Sequence, residues 1–244
     1  MLSTLRRAVH AFQHPPEESP GVTRDPDVTP EEWATWEAVR NCTMTSFARV
    51  LATIRAAEHV ARTGIAGDLV ECGVWRGGNT MAMTLTLLRL GEPRDVWLFD
   101  TFTGMTPATD RDRDYTGERA SALLDSRPRD SDVWAIASLT DVKQNLASTG
   151  YPSERLHFVE GAVESTVPAS APDRIAMLRL DTDWYESTAH ELKHLYPRLA
   201  PGGILIVDDY GHWSGARQAV DEYFAGRRPF LHRIDYTGRL LVKS

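Results

Sequence analysis

Lysine is nearly absent from this chain: of its 27 basic residues only Lys143, Lys193 and Lys243 are lysine, and none follows a glycine-rich turn. A phosphate loop needs a lysine after its glycines to reach the nucleotide, so its absence weakens a nucleoside-triphosphate reading. Cysteine is equally scarce, with Cys42 and Cys72 alone and no C-x-x-C spacing. That removes a disulfide framework and a zinc ribbon, and a reducing, cytoplasmic setting is expected. No run of 18 apolar residues occurs and the apolar start is interrupted by Arg6 and Arg7, so neither a membrane span nor a secretory leader is expected. Blocks of basic charge are missing too. With a formal charge of −7, neither nucleic acid nor an anionic membrane is an expected partner.

What is present is ordinary globular material, 244 residues with 42% hydrophobic and 25% charged side chains, enough for one large core. A proline- and acid-rich stretch over 14–30, after a short helical start, reads as an irregular connector or flap. From Pro30 to Thr63 the spacing of Phe47, Val50, Leu51, Ile54, Ala57 and Val60 predicts helix, so residues 1–63 form an N-terminal helical cap and flap. Residues 64–244 then alternate short apolar runs (LVECGV, VWLFD, LHFVEG, AMLRLD, GILIVDDY) with helical stretches. This predicts a single α/β domain over 1–244, its mostly parallel sheet covered on both faces. The terminal FLHRIDYTGRLLVKS adds a hairpin around Tyr-Thr-Gly. The charged insertion at about 104–134 looks too polar for core and reads equally as a lid or a surface excursion.

Two patterns carry chemistry. ECGVWRGGNT (71–80) follows a strand and opens a helix, so Gly73, Gly77 and Gly78 let a ligand approach backbone N–H groups where the helix dipole favours an anion, carboxylate or phosphate. Asp100 ends the next strand, where an acid can accept ribose hydroxyls. A nucleoside cofactor with an amino-acid end fits both. The second pattern is acidic: a period of two puts Asp181 and Asp183 on one side of an extended chain, and Asp208 and Asp209 end the following strand. Carboxylates converging at strand ends repel unless a cation neutralises them, and oxygen ligands without Cys or His favour Mg²⁺. The rival reading of each Asp is a helix cap. The zinc-like HELKH is set aside, because His190 and His194 fall opposite Ala189, Leu192, Leu195, Tyr196 and Leu199 and face solvent. Trp75 and Trp184 read as packing, whereas Tyr210, His212 and Trp213 read equally as an acceptor face or a surface loop.

Five stretches resemble the macrocin-type O-methyltransferases, which methylate sugar hydroxyls during macrolide and aminocoumarin antibiotic assembly: TM (43–44), DLVECGVWRGG (68–78), VWLFDTFTGM (96–105), MLRLDTDWYEST (177–188) and LAPGGILIVDDYGHWSGARQAV (199–220). The resemblance implies a Rossmann-like class I methyltransferase fold, a mostly parallel seven-stranded sheet with an antiparallel C-terminal hairpin. It implies S-adenosylmethionine held by Thr43, Met44, Glu71, Gly73, Trp75, Gly77, Gly78, Asn79, Asp100, Phe102, Ser138, Gly161 and Asp181. It implies Mg²⁺ on Asp181, Asp208 and Asp209, with Asp181 and Asp183 catalytic and Asp183 the general base. A small-molecule glycoside acceptor and a homodimer are the implied partners. Three rivals remain: methylation of a catechol-like phenol by the same constellation, a non-catalytic nucleoside-binding scaffold that binds no metal, and a metal-dependent hydrolase with no use for Glu71 and Asp100.

Overall fold

Thr29 and Glu32 close a reciprocal capping box around Pro30, and helix α1 (Pro30–Val39) starts there. The computed structural model describes residues 25–227 and 229–244. The expected helical start and the flap up to residue 24 lie outside the described residues.

The continuous helix expected over 30–63 is two helices. After α1 comes a 3₁₀ turn (Arg40–Cys42), then extended chain, and α2 (Phe47–Arg62) begins at its cap Ser46. Hydroxyls explain the break, since Thr43 Oγ1 accepts from the Thr45 amide at 3.1 Å and lies 2.8 Å from Thr45 Oγ1. Such side-chain partners compete with helical hydrogen bonding. The interruption turns Thr43, Met44 and Thr45 into the cleft described below.

Then follow β1 (Asp68–Cys72), α3 (Gly78–Leu90), β2 (Val96–Asp100), α4 (Ala120–Asp125), α5 (Leu139–Ser148), β3 (Leu156–Glu160), α6 (Val163–Thr166), β4 (Ile175–Leu180), α7 (Tyr185–His194), β5 (Leu199–Val207), α8 (Ser214–Phe224), β6 (His232–Arg233) and β7 (Arg239–Val242). The seven strands lie in the order β3-β2-β1-β4-β5-β7-β6. The first five are parallel, and the terminal hairpin adds antiparallel to β5. Alternate side chains build two cores: Leu69, Leu98 and Ile206 pack under α2 and α3, while Val70, Phe99 and Val207 pack on the opposite face with Leu192 of α7 and Val220 of α8. Among the described residues no helix is long and apolar enough to cross a membrane.

The insertion departs from its polar reading. Ala120 and Leu124 are buried in a third cluster with Trp184, Trp213 and Ala216, and Asp112 is wholly buried. Polar residues can enter core when local hydrogen bonds satisfy them. Asp112 accepts from the Thr109 amide and hydroxyl at 2.7 and 2.8 Å and caps α7 through the Tyr185 N–H at 2.8 Å.

Candidate functional site

Every strand from β1 to β5 delivers a residue at its carboxyl end to one cavity of about 210 Å³, the crevice position of an open α/β sheet. Gly73 leaves β1 with φ +76, and a Cβ there would lie 1.9 Å from the Asp181 carbonyl, so glycine is what lets the β1 and β4 ends approach. The Asp100 carboxylate ties the turn together, accepting from the amides of Val74 (2.7 Å), Trp75 (3.2 Å) and Phe102 (2.7 Å). Burial nevertheless holds its carboxyl above the ordinary range.

Beneath the cavity runs a buried ion network. Glu71 and Arg179 are register partners on adjacent strands, joined at 2.8 Å, and Arg179 is fully buried. Its guanidinium also donates to Asp181 at 2.6 Å and to Asp208. Arg49 reaches in from α2 to Asp208 and, at 3.0 Å, to Asp235 of the β6–β7 turn. Thr80 closes the far side on Glu71.

Above these arginines the carboxylates of Asp181, Asp208 and Asp209 bring oxygens within 4.8 Å of one another, the only such group of three among the described residues. Asp183 lines the same cavity outside that group. Burial and the charges of Asp181 and Asp208 push Asp183 up to about 7, and burial pushes Asp208 up to about 6 against the pull of Arg179 and Arg49. Asp209 is raised further by burial, then by Asp183, Asp181 and Asp208, and it shares a hydrogen bond with Asp183 that requires a proton between them. Carboxylates that all present oxygen, with no Cys or His among them, form a donor set fitted to a hard dication.

Asp183 does not reach the site by strand alternation, because β4 ends at Leu180. It stands at φ +66 in a three-residue turn closed by the Trp184 amide on the Thr182 carbonyl at 2.7 Å. Strain of this kind persists only where surroundings over-determine it. Here Ser187 Oγ donates to the carbonyls of Thr182 and Trp184 at 3.2 and 3.1 Å, and Thr182 Oγ1 donates to Glu191 at 3.0 and 3.1 Å. The Trp213 indole reaches Asp183 itself.

Over residues 22–241 the chain matches the family model described as Macrocin-O-methyltransferase (TylF). The chain belongs to the macrocin O-methyltransferase family. It is 38% identical over 185 residues to demethyldecarbamoylnovobiocin O-methyltransferase of Streptomyces niveus, spanning 75% of this chain and 68% of that protein. A Streptomyces olivaceus enzyme named 8-demethyl-8-(2,3-dimethoxy-alpha-L-rhamnosyl)-tetracenomycin-C 4'-O-methyltransferase is 36% identical over 83% of this chain and 76% of its own. The solved structure of the O-methyltransferase NovP superposes with a TM-score of 0.72 at 35% identity, over 83% of this chain and 82% of that one.

In this O-methyltransferase the expected site residues divide in two. Thr43, Met44, Gly73, Trp75, Asn79, Asp100, Gly161, Asp181, Asp183, Asp208 and Asp209 line the cavity together. Glu71, Gly77, Gly78, Phe102 and Ser138 do not. Glu71 is 1% exposed and engaged by Arg179 and Thr80. Gly77 and Gly78 start α3, Gly78 against the Cys42 carbonyl; Phe102 is buried, and Ser138 caps α5. Arg49 was not anticipated, since its role depends on a contact across the fold. Arg179 had a legible signal: a charged residue inside the apolar run AMLRL must find a buried partner. His190 and His194 are half-buried rather than solvated, with His190 Nε2 on the Val167 carbonyl at 2.9 Å, and the helix instead buries Glu191. Of the packing tryptophans, Trp184 is buried against Trp213 at a ring distance of 5.0 Å, whereas Trp75 lines the cavity.

Proposed function

We propose that this enzyme transfers the methyl group of S-adenosylmethionine to a sugar hydroxyl of a glycosylated natural product, with Mg²⁺ held by Asp181, Asp208 and Asp209. The observation that carries the reading is the placement of Asp183, a carboxyl of raised proton affinity, against three acids whose oxygens converge. The sugar acceptor follows from the likeness to an enzyme named for methylating a rhamnosyl-bearing antibiotic.

S-adenosylmethionine would supply an electrophilic methyl on sulfur. Mg²⁺ would supply the charge that lets these carboxylates ionise together and acidifies a nearby hydroxyl. The chain's own residues do the rest. Thr43, Met44, Gly73, Trp75, Asn79 and Asp100 form the cofactor side of the cavity, and Asp181 to Asp183 with Asp208 and Asp209 form the acceptor side. Asp183 takes the hydroxyl proton as the oxygen–carbon bond forms and the carbon–sulfur bond breaks. Arg49 and Arg179 hold Asp208 and Asp181 in place through hydrogen bonds. A homodimer in the cytoplasm is the setting we infer for this reaction.

Calorimetric titration of S-adenosylmethionine, and separately of Mg²⁺, into chelator-stripped protein tests the reading. Binding of both is expected. Cofactor binding with no heat from Mg²⁺ would remove the metal, and binding of neither would return the protein to the scaffold class.

A further inference from the structure

Arg49 brings a cation to the place where a metal would bind. It stands in the first turn of α2, three residues past the cap Ser46, and lines the cavity. Two acids of different standing share its guanidinium: Nε donates to Asp235 at 3.0 Å, and Nη1 donates to Asp208 Oδ2. Asp235 lies outside the group of three converging carboxylates. Its own oxygens are already well supplied, Oδ1 by the amides of Thr237 and Gly238 at 2.9 and 2.7 Å, and Oδ2 by the Ser46 hydroxyl at 2.7 Å. One nitrogen of Arg49 therefore rests on a preformed dock in the hairpin turn, while another occupies an oxygen of the metal group.

Asp208 has other anchors. Its amide donates to the Leu180 carbonyl at 2.9 Å, its carbonyl accepts from Thr237 Oγ1 at 2.8 Å, and its Oδ1 accepts from Arg179. What Arg49 adds is a second positive charge, placed at the other oxygen. The Asp208 side chain is 2% exposed, and a carboxylate so deeply buried is costly without a counter-charge. The cation is a permanent one. Burial opposes the charge of Arg49, but Asp208, Asp235, Asp181 and Asp209 outweigh it and raise the proton affinity of the guanidinium further.

A dication entering between Asp181, Asp208 and Asp209 meets that charge. Like charges sharing one buried carboxylate repel strongly, because little water lies between them to screen the interaction. An oxygen already engaged by a guanidinium is also a poorer donor to a metal. The same contact thus has two opposite effects: it neutralises Asp208 in the metal-free chain and weakens the hold of the cluster on a cation. Because Asp208 keeps its backbone and Arg179 anchors, loss of Arg49 removes the repulsion without releasing the ligand, and the repulsion decides the sign.

We propose that Arg49 is a built-in counter-cation of Asp208 that competes with the metal, holding the cluster together when it is empty and setting its metal affinity below what the carboxylates would otherwise give. This rests on the reading that Asp181, Asp208 and Asp209 bind Mg²⁺. The test uses the full chain, stripped with a chelator at pH 8, as wild type, Arg49→Met, Arg49→Gln and Arg49→Lys. Mg²⁺ binding is measured by calorimetry, and Mn²⁺ binding by the electron paramagnetic resonance signal of the free ion. Arg49→Met and Arg49→Gln should each bind metal about tenfold or more tightly than wild type, and Arg49→Lys, which keeps the charge, within about threefold. Without metal, Arg49→Met should melt below wild type, and saturating Mg²⁺ should raise its melting temperature by more. Structural damage weakens metal binding, whereas loss of a competitor tightens it, so the direction separates the two roles; Arg49→Gln carries the test if Arg49→Met does not fold. Metal binding by wild type that is unchanged or weaker in the uncharged variants, or tightened equally by lysine, overturns the competing role and leaves the metal reading standing. No metal binding by any of the four chains defeats the metal reading and this inference with it.

Discussion

Asp183, the base we propose, is held in a positive-φ turn by Thr182, Ser187 and Glu191, so the proposed proton acceptor can be tested apart from its scaffold. Asp183→Asn keeps size and backbone but removes the acceptor, and kcat should fall by about 10²- to 10⁴-fold while cofactor affinity stays near wild type. Full activity in that variant would move the base elsewhere. Because the carboxyl is pushed up to about 7 in the metal-free protein and must be ionised to accept a proton, kcat should rise with pH through that region. If Mg²⁺ binds as proposed, it should shift the rise to lower pH, and a pH profile at two metal concentrations measures both effects. Glu191 tests the scaffold. It is fully buried, with burial pushing its carboxyl well up, and it is engaged by the Thr182 hydroxyl and the Cys72 thiol. Glu191→Gln keeps an acceptor for the Thr182 hydroxyl and should retain most of kcat; Glu191→Leu should lower kcat about tenfold or more with an unchanged KM for S-adenosylmethionine. Equal loss in both variants would mark Glu191 as packing alone. The sequence pattern offered Asp183 through an alternation that does not hold there, and it hid Glu191 inside a motif that looked like zinc.

Elements explain why the insertion is more than a loop. Asp112 caps α7, and α7 begins two residues after Asp183, so the insertion fastens the turn that carries Asp183 from outside the sheet. Gly215 at the start of α8 makes this possible, since a Cβ there would lie 1.9 Å from Asp112 Oδ1. Asp112→Ala should cost about 1–2 kcal/mol of stability, the range of a lost helix cap. Gly215→Ala should damage the same contact, so the double variant should be less destabilised than the sum of the two, by thermal or denaturant unfolding. Simple additivity would show that the two residues do not share a contact. The strands were readable because two-sided burial demands continuous apolar runs bounded by turn residues. The break at 43–46 was not, because a helical period crosses it and only the pairing of Thr43 with Thr45 interrupts the backbone. The insertion was misread because charge content says nothing about which acid is satisfied inside.

For the molecule as a whole, the acidic cluster links protonation and stability to the metal binding we propose. The carboxyls of Asp208 and Asp183, at about 6 and 7, lie above their unfolded values, so the metal-free folded chain binds more protons than the unfolded one. Their favourable contribution is present at low pH and is lost as pH rises through 6 to 7, and the proposed Mg²⁺ would displace the same protons. The melting-temperature gain from Mg²⁺ should therefore grow between pH 6 and pH 8. At about 100 times Kd it should reach about 2.7 kcal/mol, or about 5–10 °C for a domain of this size. A gain that is flat across that window would place the cation elsewhere. The order of strands, the glycine turn after β1 and the acids Asp181, Asp208 and Asp209 at strand ends follow from local rules, periodicity and residue chemistry, which a linear chain carries in full. The union of Arg49 from α2, Arg179 from β4 and Asp235 from the hairpin on one set of carboxylates does not, and neither does the meeting of Tyr115, His212 and Tyr236. Those contacts join residues far apart in sequence, and only the packing of the sheet's two faces fixes which side chains share a low-dielectric space and so which charges and rings act on one another.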